Sequence, residues 1–107
     1  MTEADIAVIG GSGLYRLFDE DADIQTVTVD TPYGPPSAPV VIGQVADRRV
    51  AFLPRHGDGH ALPPHRVPYR ANIWALASLG VRAIVTSSAV GGLSEWARPG
   101  LFLVPEI

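Results

Sequence analysis

The chain contains no cysteine and no lysine. Without thiols there is no disulfide framework, no thiolate metal site and no cysteine nucleophile, which fits a reducing compartment. Without lysine there is no P-loop lysine, no Schiff-base lysine and no Ser/Lys dyad; all eight cations are arginines. Charge is sparse as well, at 18% of residues and a net −3. That balance lacks the basic stripe of a nucleic-acid binder, so no nucleic-acid partner is expected. No apolar run approaches the ~18 residues of a membrane span, so no membrane partner is expected either. The acidic start, Met1-Thr2-Glu3-Ala4-Asp5, lacks the basic region of a secretory signal, and the expected location is the cytoplasm. What is present is 47% apolar residue content and a mean hydropathy of +0.19 over 107 residues. That is too hydrophobic for a disordered segment and long enough for one core.

Hydrophobic patterning points to an α/β fold. Ile6-Ala7-Val8-Ile9 is a continuous apolar run stopping at Gly10-Gly11-Ser12-Gly13, as expected of a strand buried on both faces. A helical turn is expected over 14–18, a solvated acidic turn over 19–23, and a strand over Gln25 to Val29. The prolines of Thr31-Pro32-Tyr33-Gly34-Pro35-Pro36 forbid helix and central strand. Pro39 to Val45 and Arg49 to Leu53 read as a hairpin joined through Ala46-Asp47-Arg48, and Arg55 to Pro64 as a polar loop. Val67 to Leu79 is predicted as the main helix, with Pro68 in its first turn and Gly80 just past its end. Tyr69, Ile73, Leu76 and Gly80 are assigned to one face, with Tyr69 and Trp74 as core or subunit-contact residues. Strands are expected over Val81 to Val85 and Leu101 to Val104. One substantial helix for four or five strands leaves the sheet partly bare, so residues 1–107 read as a single incomplete domain, the front part of a larger one.

Three loops follow expected strand ends: Gly10 to Gly13, Pro54 to Gly57, and Ser87 to Gly92. Ligands of open α/β sheets bind beyond such ends. Successive backbone N–H groups in turns form anion-binding nests, Ser12 and Ser88 add hydroxyls, and Arg55 with His56 adds a forked cation and a ring donor. Each loop alone also reads as an ordinary tight connection; their shared topological position makes the set a candidate phosphate cradle. Sharper alternatives fail. A dinucleotide fingerprint begun by Gly11-x-Gly13 meets Arg16 where the third glycine belongs. His56 and His60 have zincin spacing, but Gly57-Asp58-Gly59 is a poor helix without a glutamate base, and no metal is expected.

Taken in order, these stretches resemble a known family. Ile9-Gly10-Gly11-Ser12-Gly13-Leu14, Asp30-Thr31-Pro32-Tyr33-Gly34 with Pro36-Ser37, and Leu53-Pro54-Arg55-His56-Gly57 with His60 come first. Val67-x-Tyr69-Arg70-Ala71-Asn72-Ile73-Trp74-Ala75-Leu76, Ser88-Ala89-Val90-Gly91-Gly92-Leu93 and Pro99-Gly100 follow. Across essentially the whole chain this resembles the N-terminal portion of the 5′-methylthioadenosine phosphorylases, within the trimeric purine nucleoside phosphorylase family. Ser88 stands where threonine or asparagine is common, and Gly92 where many of these enzymes have serine. The resemblance implies a pentosyltransferase of purine salvage, in which phosphate attacks the anomeric carbon of a purine nucleoside. It implies that Ser12, Arg55, His56, Ser88 and the backbone N–H of Ala89 bind phosphate, with His60 a weaker phosphate candidate. Val90 and Gly91 would line the purine or ribose side. It implies phosphate and a purine nucleoside as substrates, no metal or organic cofactor, and a homotrimer for the full-length family. No candidate for the base-contacting carboxylate is evident, so the chain is expected to hold the phosphate half-site without the leaving-group half-site. The rival expectation is a stand-alone phosphate- or nucleotide-binding module.

Overall fold

The computed structural model describes residues 3–14 and 16–106. The first apolar run forms strand β1 (Ile6–Gly10), followed by a short β2 (Gln25–Val27) and the hairpin β3 (Val40–Val45) and β4 (Arg48–Pro54). The helix α1 (Tyr69–Ser78) leads into β5 (Ala83–Thr86). They build one mixed sheet in the order β2-β3-β4-β1-β5. The β2–β3 and β3–β4 pairs are antiparallel, whereas β1 lies parallel to both β4 and β5. The expected α/β class therefore holds, with the parallel half of the sheet joined by the β4–α1–β5 crossover.

Side-chain alternation sets two cores. Ala7 and Ile9 of β1, Val40 and Ile42 of β3, and Ala51 and Leu53 of β4 pack with Leu76 and Leu79 on the helix side. Val50 and Phe52 point the other way, onto Phe18, with Val8 and Val41 packed alongside. The helix buries Ala71, Asn72, Ala75 and Leu76. Alanines at 71 and 75 let the backbone of α1 approach the sheet, so the inward stripe is one of small residues. Leu76 is buried, but Tyr69, Ile73 and Trp74 are exposed, so the core role expected for Tyr69 and Trp74 fails and the subunit-contact role is left. Gly80 does end the helix. Its φ of 86° is left-handed, its N–H donates to Ala77 O, and the Val81 N–H donates to Leu76 O. These two bonds satisfy otherwise orphaned carbonyls in a Schellman arrangement.

Other expectations need adjustment. The strand expected over 25–29 ends at Val27. The hairpin turn is tighter than expected, because Val45 already pairs with Arg48; Ala46 there takes a left-handed φ of 56°. No helix is recorded at Leu14 or over 16–18, and Tyr15 lies outside the described residues, as do Met1, Thr2 and Ile107. Residues 101–104 are apolar but form no strand: among the described residues no neighbouring strand supplies ladder partners, and their side chains are exposed. Every residue of β5 is exposed too, so the sheet is covered well around β3, β4 and β1 and poorly beyond. Among the described residues no helix is long and apolar enough to cross a membrane.

Gly43 offers a direct check on the second core. A Cβ there would lie 2.6–2.9 Å from the ring of Phe18. Gly43→Ala is expected to destabilise the chain by about 1–3 kcal/mol through overpacking. Urea denaturation measures this, and the cost should shrink in a Phe18→Leu background, where the ring edge is gone.

Candidate phosphate site

The parallel register brings three loops to one end of the sheet. Gly10 of β1 is level with Pro54 of β4, and Ile9 with Thr86 of β5. The residues that follow therefore emerge side by side. Two further backbone bonds extend the ladder past the strands: Arg55 N–H donates to Gly10 O at 2.8 Å, and Ser87 N–H donates to Ile9 O at 3.1 Å. The Gly11 N–H then donates to Ser87 Oγ at 3.4 Å.

Arg55 reaches across the end of β1 to the loop after β5. Its Nη1 donates to Ser88 Oγ at 3.3 Å, and its Nη2 donates to Ser87 O at 2.7 Å and to Thr86 Oγ1. These contacts occupy three of the five guanidinium N–H donors, leaving Nε–H and one Nη1–H. All the acceptors are uncharged. Among the described residues the recorded ion pair is Arg16–Glu20 on the surface, and no carboxylate contacts Arg55. The guanidinium is held in place while its charge is left uncompensated. The route past β1 exists because residue 11 is glycine: a Cβ there would stand 2.7 Å from both Arg55 Nη1 and Ser87 O.

The loop carrying Arg55 is held from below. Ser37 Oγ–H donates to Pro54 O at 2.6 Å, and Ser37 N–H donates to Oδ1 of the buried Asn72 on α1 at 2.8 Å. The loop then closes on itself. His56 Nδ1 lies 2.8 Å from Leu62 O, Leu62 N–H donates to His56 O, and the His56 and His60 rings sit 4.4 Å apart between centroids. Within it, residues Asp58–His60 make a short 3-10 turn, in which His60 takes a left-handed φ of 57°.

Of the residues singled out in the sequence, Arg55 and Ser88 are in contact, and the His56 and His60 rings meet at a 41° tilt beside them in the chain. Ser12 lies in the turn after Gly11, which Leu14 N–H closes onto Gly11 O, and it is exposed. Ala89, Val90 and Gly91 follow Ser88 in an exposed stretch, with Val90 83% accessible, so the side chains of Ala89 and Val90 have no packed setting. The anchoring roles of Thr86, Ser87, Ser37 and Asn72 were not legible beforehand. A polar residue at the helix's inward stripe was the available sign for Asn72. Among the described residues no group of three or more His, Asp or Glu side chains is placed to hold a metal. The surface groove of about 510 Å³ beside α1, lined by Tyr33, Tyr69, Arg70, Ile73, Trp74 and Ala77, shares no residue with this cluster.

Residues 5–106 match the family model of the phosphorylase superfamily. The chain belongs to that superfamily. A purine nucleoside phosphorylase from Streptomyces coelicolor is 59% identical over 104 residues, which is 97% of this chain and 36% of that protein. An S-methyl-5′-thioadenosine phosphorylase from Mycolicibacterium smegmatis is 56% identical over 94% of this chain and 38% of its own length. Among solved structures, methylthioadenosine phosphorylase from Schistosoma mansoni in complex with adenine superposes with a TM-score of 0.82 at 42% identity, covering 91% of this chain and 35% of that one. This phosphorylase-superfamily chain thus spans little more than a third of the curated relatives it matches, and its mixed sheet corresponds to that share of their fold.

Asn72 links packing to the site. It is only 2% exposed. Asn72→Leu fills similar volume but orphans the Ser37 N–H, and is expected to cost about 1–3 kcal/mol. Thermal or urea unfolding measures it, and amide exchange at Ser37 and Arg55 should accelerate in the variant.

Proposed function

We propose that this chain carries the phosphate-binding half of a purine nucleoside phosphorylase of the 5′-methylthioadenosine type. The observation behind the reading is Arg55, tethered by uncharged acceptors from the β5 loop with no carboxylate in contact among the described residues. Arg55, His56, Ser12, Ser88 and the Ala89 N–H are the proposed phosphate ligands, with His60 beside them and Val90 and Gly91 toward the nucleoside. The similarity to relatives named as purine nucleoside and S-methyl-5′-thioadenosine phosphorylases supports the substrate assignment.

In this reaction a phosphate oxygen forms a bond to C1′ of the sugar while the C1′–N9 bond breaks. The electron pair goes to the purine, which takes up a proton, and the products are free purine and a (5-methylthio)ribose 1-phosphate. A held phosphate converts an encounter into a positioned attack and offsets the positive charge developing at C1′. No metal or organic cofactor is proposed, and phosphate enters as a substrate. The leaving purine needs hydrogen bonds or a proton of its own, and no group in this chain is assigned to it. Phosphate binding without that second half stabilises ground and transition states alike.

Two measurements test the reading. Phosphate titration by calorimetry is expected to show binding that Arg55→Ala weakens roughly 10- to 100-fold, the worth of charge-assisted hydrogen bonds of about 1.5–3 kcal/mol. Arg48→Ala, at the distant hairpin turn, should leave it unchanged. With 5′-methylthioadenosine and phosphate, this chain alone should release no adenine above background; near-normal turnover would overturn the half-site assignment.

A further inference from the structure

The peptide plane that joins Pro54 to Arg55 is held at both ends. A peptide unit is planar, so its C=O and its N–H turn together. On one side, Arg55 N–H donates to Gly10 O at 2.8 Å. On the other, Pro54 O accepts twice. Gly57 N–H donates to it at 3.1 Å, closing a turn with Arg55 and His56 at its centre, and Ser37 Oγ–H donates to it at 2.6 Å. Both carbonyl lone pairs are thereby engaged. Resting on the phosphate reading above, we propose that Ser37 is a positioning residue for phosphate: its hydroxyl locks the Pro54–Arg55 peptide plane and so keeps the Arg55 side chain aimed past Gly11 toward Ser88.

Ser37 is itself fixed from several directions. Its N–H donates to Oδ1 of Asn72 at 2.8 Å, and the next residue, Ala38, is buried in the main core. Its carbonyl lies against the turn as well: a Cβ on Gly57, whose φ of 78° is left-handed, would stand 2.9 Å from Ser37 O. The segment leading to Ser37 is folded locally, since Thr31 Oγ1 accepts from Tyr33 N–H at 3.1 Å and donates to Gly34 O at 2.6 Å. It lies on α1, where the Arg70 guanidinium sits 4.9 Å from the centre of the Tyr33 ring. The serine hydroxyl thus passes the placement of α1 and of the core on to the turn. His56, in the same turn, has a tie of its own: its Nδ1 is 2.8 Å from Leu62 O, and Leu62 N–H donates to His56 O. Ser37 therefore bears on Arg55 more than on His56. Without the hydroxyl, the Pro54 carbonyl keeps only the bond from Gly57, and the plane is freer to rotate. The share of molecules with Arg55 set for phosphate falls, and apparent affinity falls by the same factor.

Ser37→Ala removes the hydroxyl and leaves the N–H that bonds Asn72, so the two contacts of this residue separate. Calorimetric titration of the chain with inorganic phosphate is expected to show binding weakened about 3- to 10-fold in S37A, the worth of one hydrogen bond. In an Arg55→Ala background the same substitution should change Kd by less than about twofold, because the side chain that the plane aims is gone. Ser37→Thr keeps a hydroxyl and should restore binding. A purely structural role would instead lower affinity by the same factor in both backgrounds, since loss of folded protein does not depend on Arg55. Ser37→Cys, close in shape with a weaker donor, carries the same test if the alanine variant does not fold. Undiminished affinity in S37A, no recovery in S37T, or an equal loss with and without Arg55 overturns the proposal and leaves the phosphate site standing. No phosphate binding by the unsubstituted chain overturns the site assignment and this proposal with it.

Discussion

The parallel register of β1 with its two neighbours is the constraint on which the site depends. Because β1 lies between β4 and β5 and runs with both, three chain segments leave the sheet at one edge and at one level. The bonds from Arg55 N–H to Gly10 O and from Ser87 N–H to Ile9 O carry that alignment one residue past the strands. A one-residue slip of β4 would send Arg55 to the opposite face of the sheet and turn Leu53 out of the core. Burial of Leu53 and Ile9 therefore fixes the site as firmly as any polar contact in it.

The chain is net acidic, yet its candidate site is for an anion. Local geometry resolves this. An arginine paired with a carboxylate would have to break that pair before taking a phosphate, whereas neutral acceptors orient the guanidinium and leave its charge available. Hydroxyl and carbonyl partners from residues 86–88 do this for Arg55. The glycine at position 11 is the steric counterpart, since any side chain there would occupy the path of the guanidinium. Orientation and charge thus come from different residues, and the acidic residues over 19–23 lie on another, solvated turn.

How much of this was legible in the sequence depends on whether a signal was local. The strand–glycine and strand–arginine boundaries were readable because apolar runs stop abruptly at Gly10 and Pro54, and the C-terminal glycine of α1 because a left-handed residue was required there. The helix's inward face was misread. Large apolar residues at 69 and 73 suggested burial, but close approach of α1 to the sheet selects the alanines at 71 and 75. The apolar segment over 101–104 failed as a strand for a similar reason: hydrophobicity proposes a strand, and only a partner edge makes one. In the site, Arg55 and Ser88 were visible as residue types after strand ends. The Thr86 and Ser87 anchors, the Asn72–Ser37 support and the Leu62 carbonyl were not, because each is a long-range or backbone contact that no spacing announces.

The site also straddles two regions of unequal support. Arg55 and His56 stand on β4, whose last five residues are buried, and their loop is tied to α1 through Ser37 and Asn72. Ser88, Ala89, Val90 and Gly91 follow β5, which is exposed along its whole length and packs chiefly edge-on against β1. Parallel strands are ordinarily covered on both faces, and within these residues β5 is held by its ladder with β1. Regions with few buried apolar contacts open at lower free energy than the core beside them. An anion held by Arg55 on one side and by the 88–89 amides on the other would bridge the well-packed and sparsely packed halves. The two loops thus differ in support: the β4 loop is set by packing and carries the arginine of the proposed cradle, while the β5 loop carries neutral donors and acceptors whose placement rests on pairing with β1.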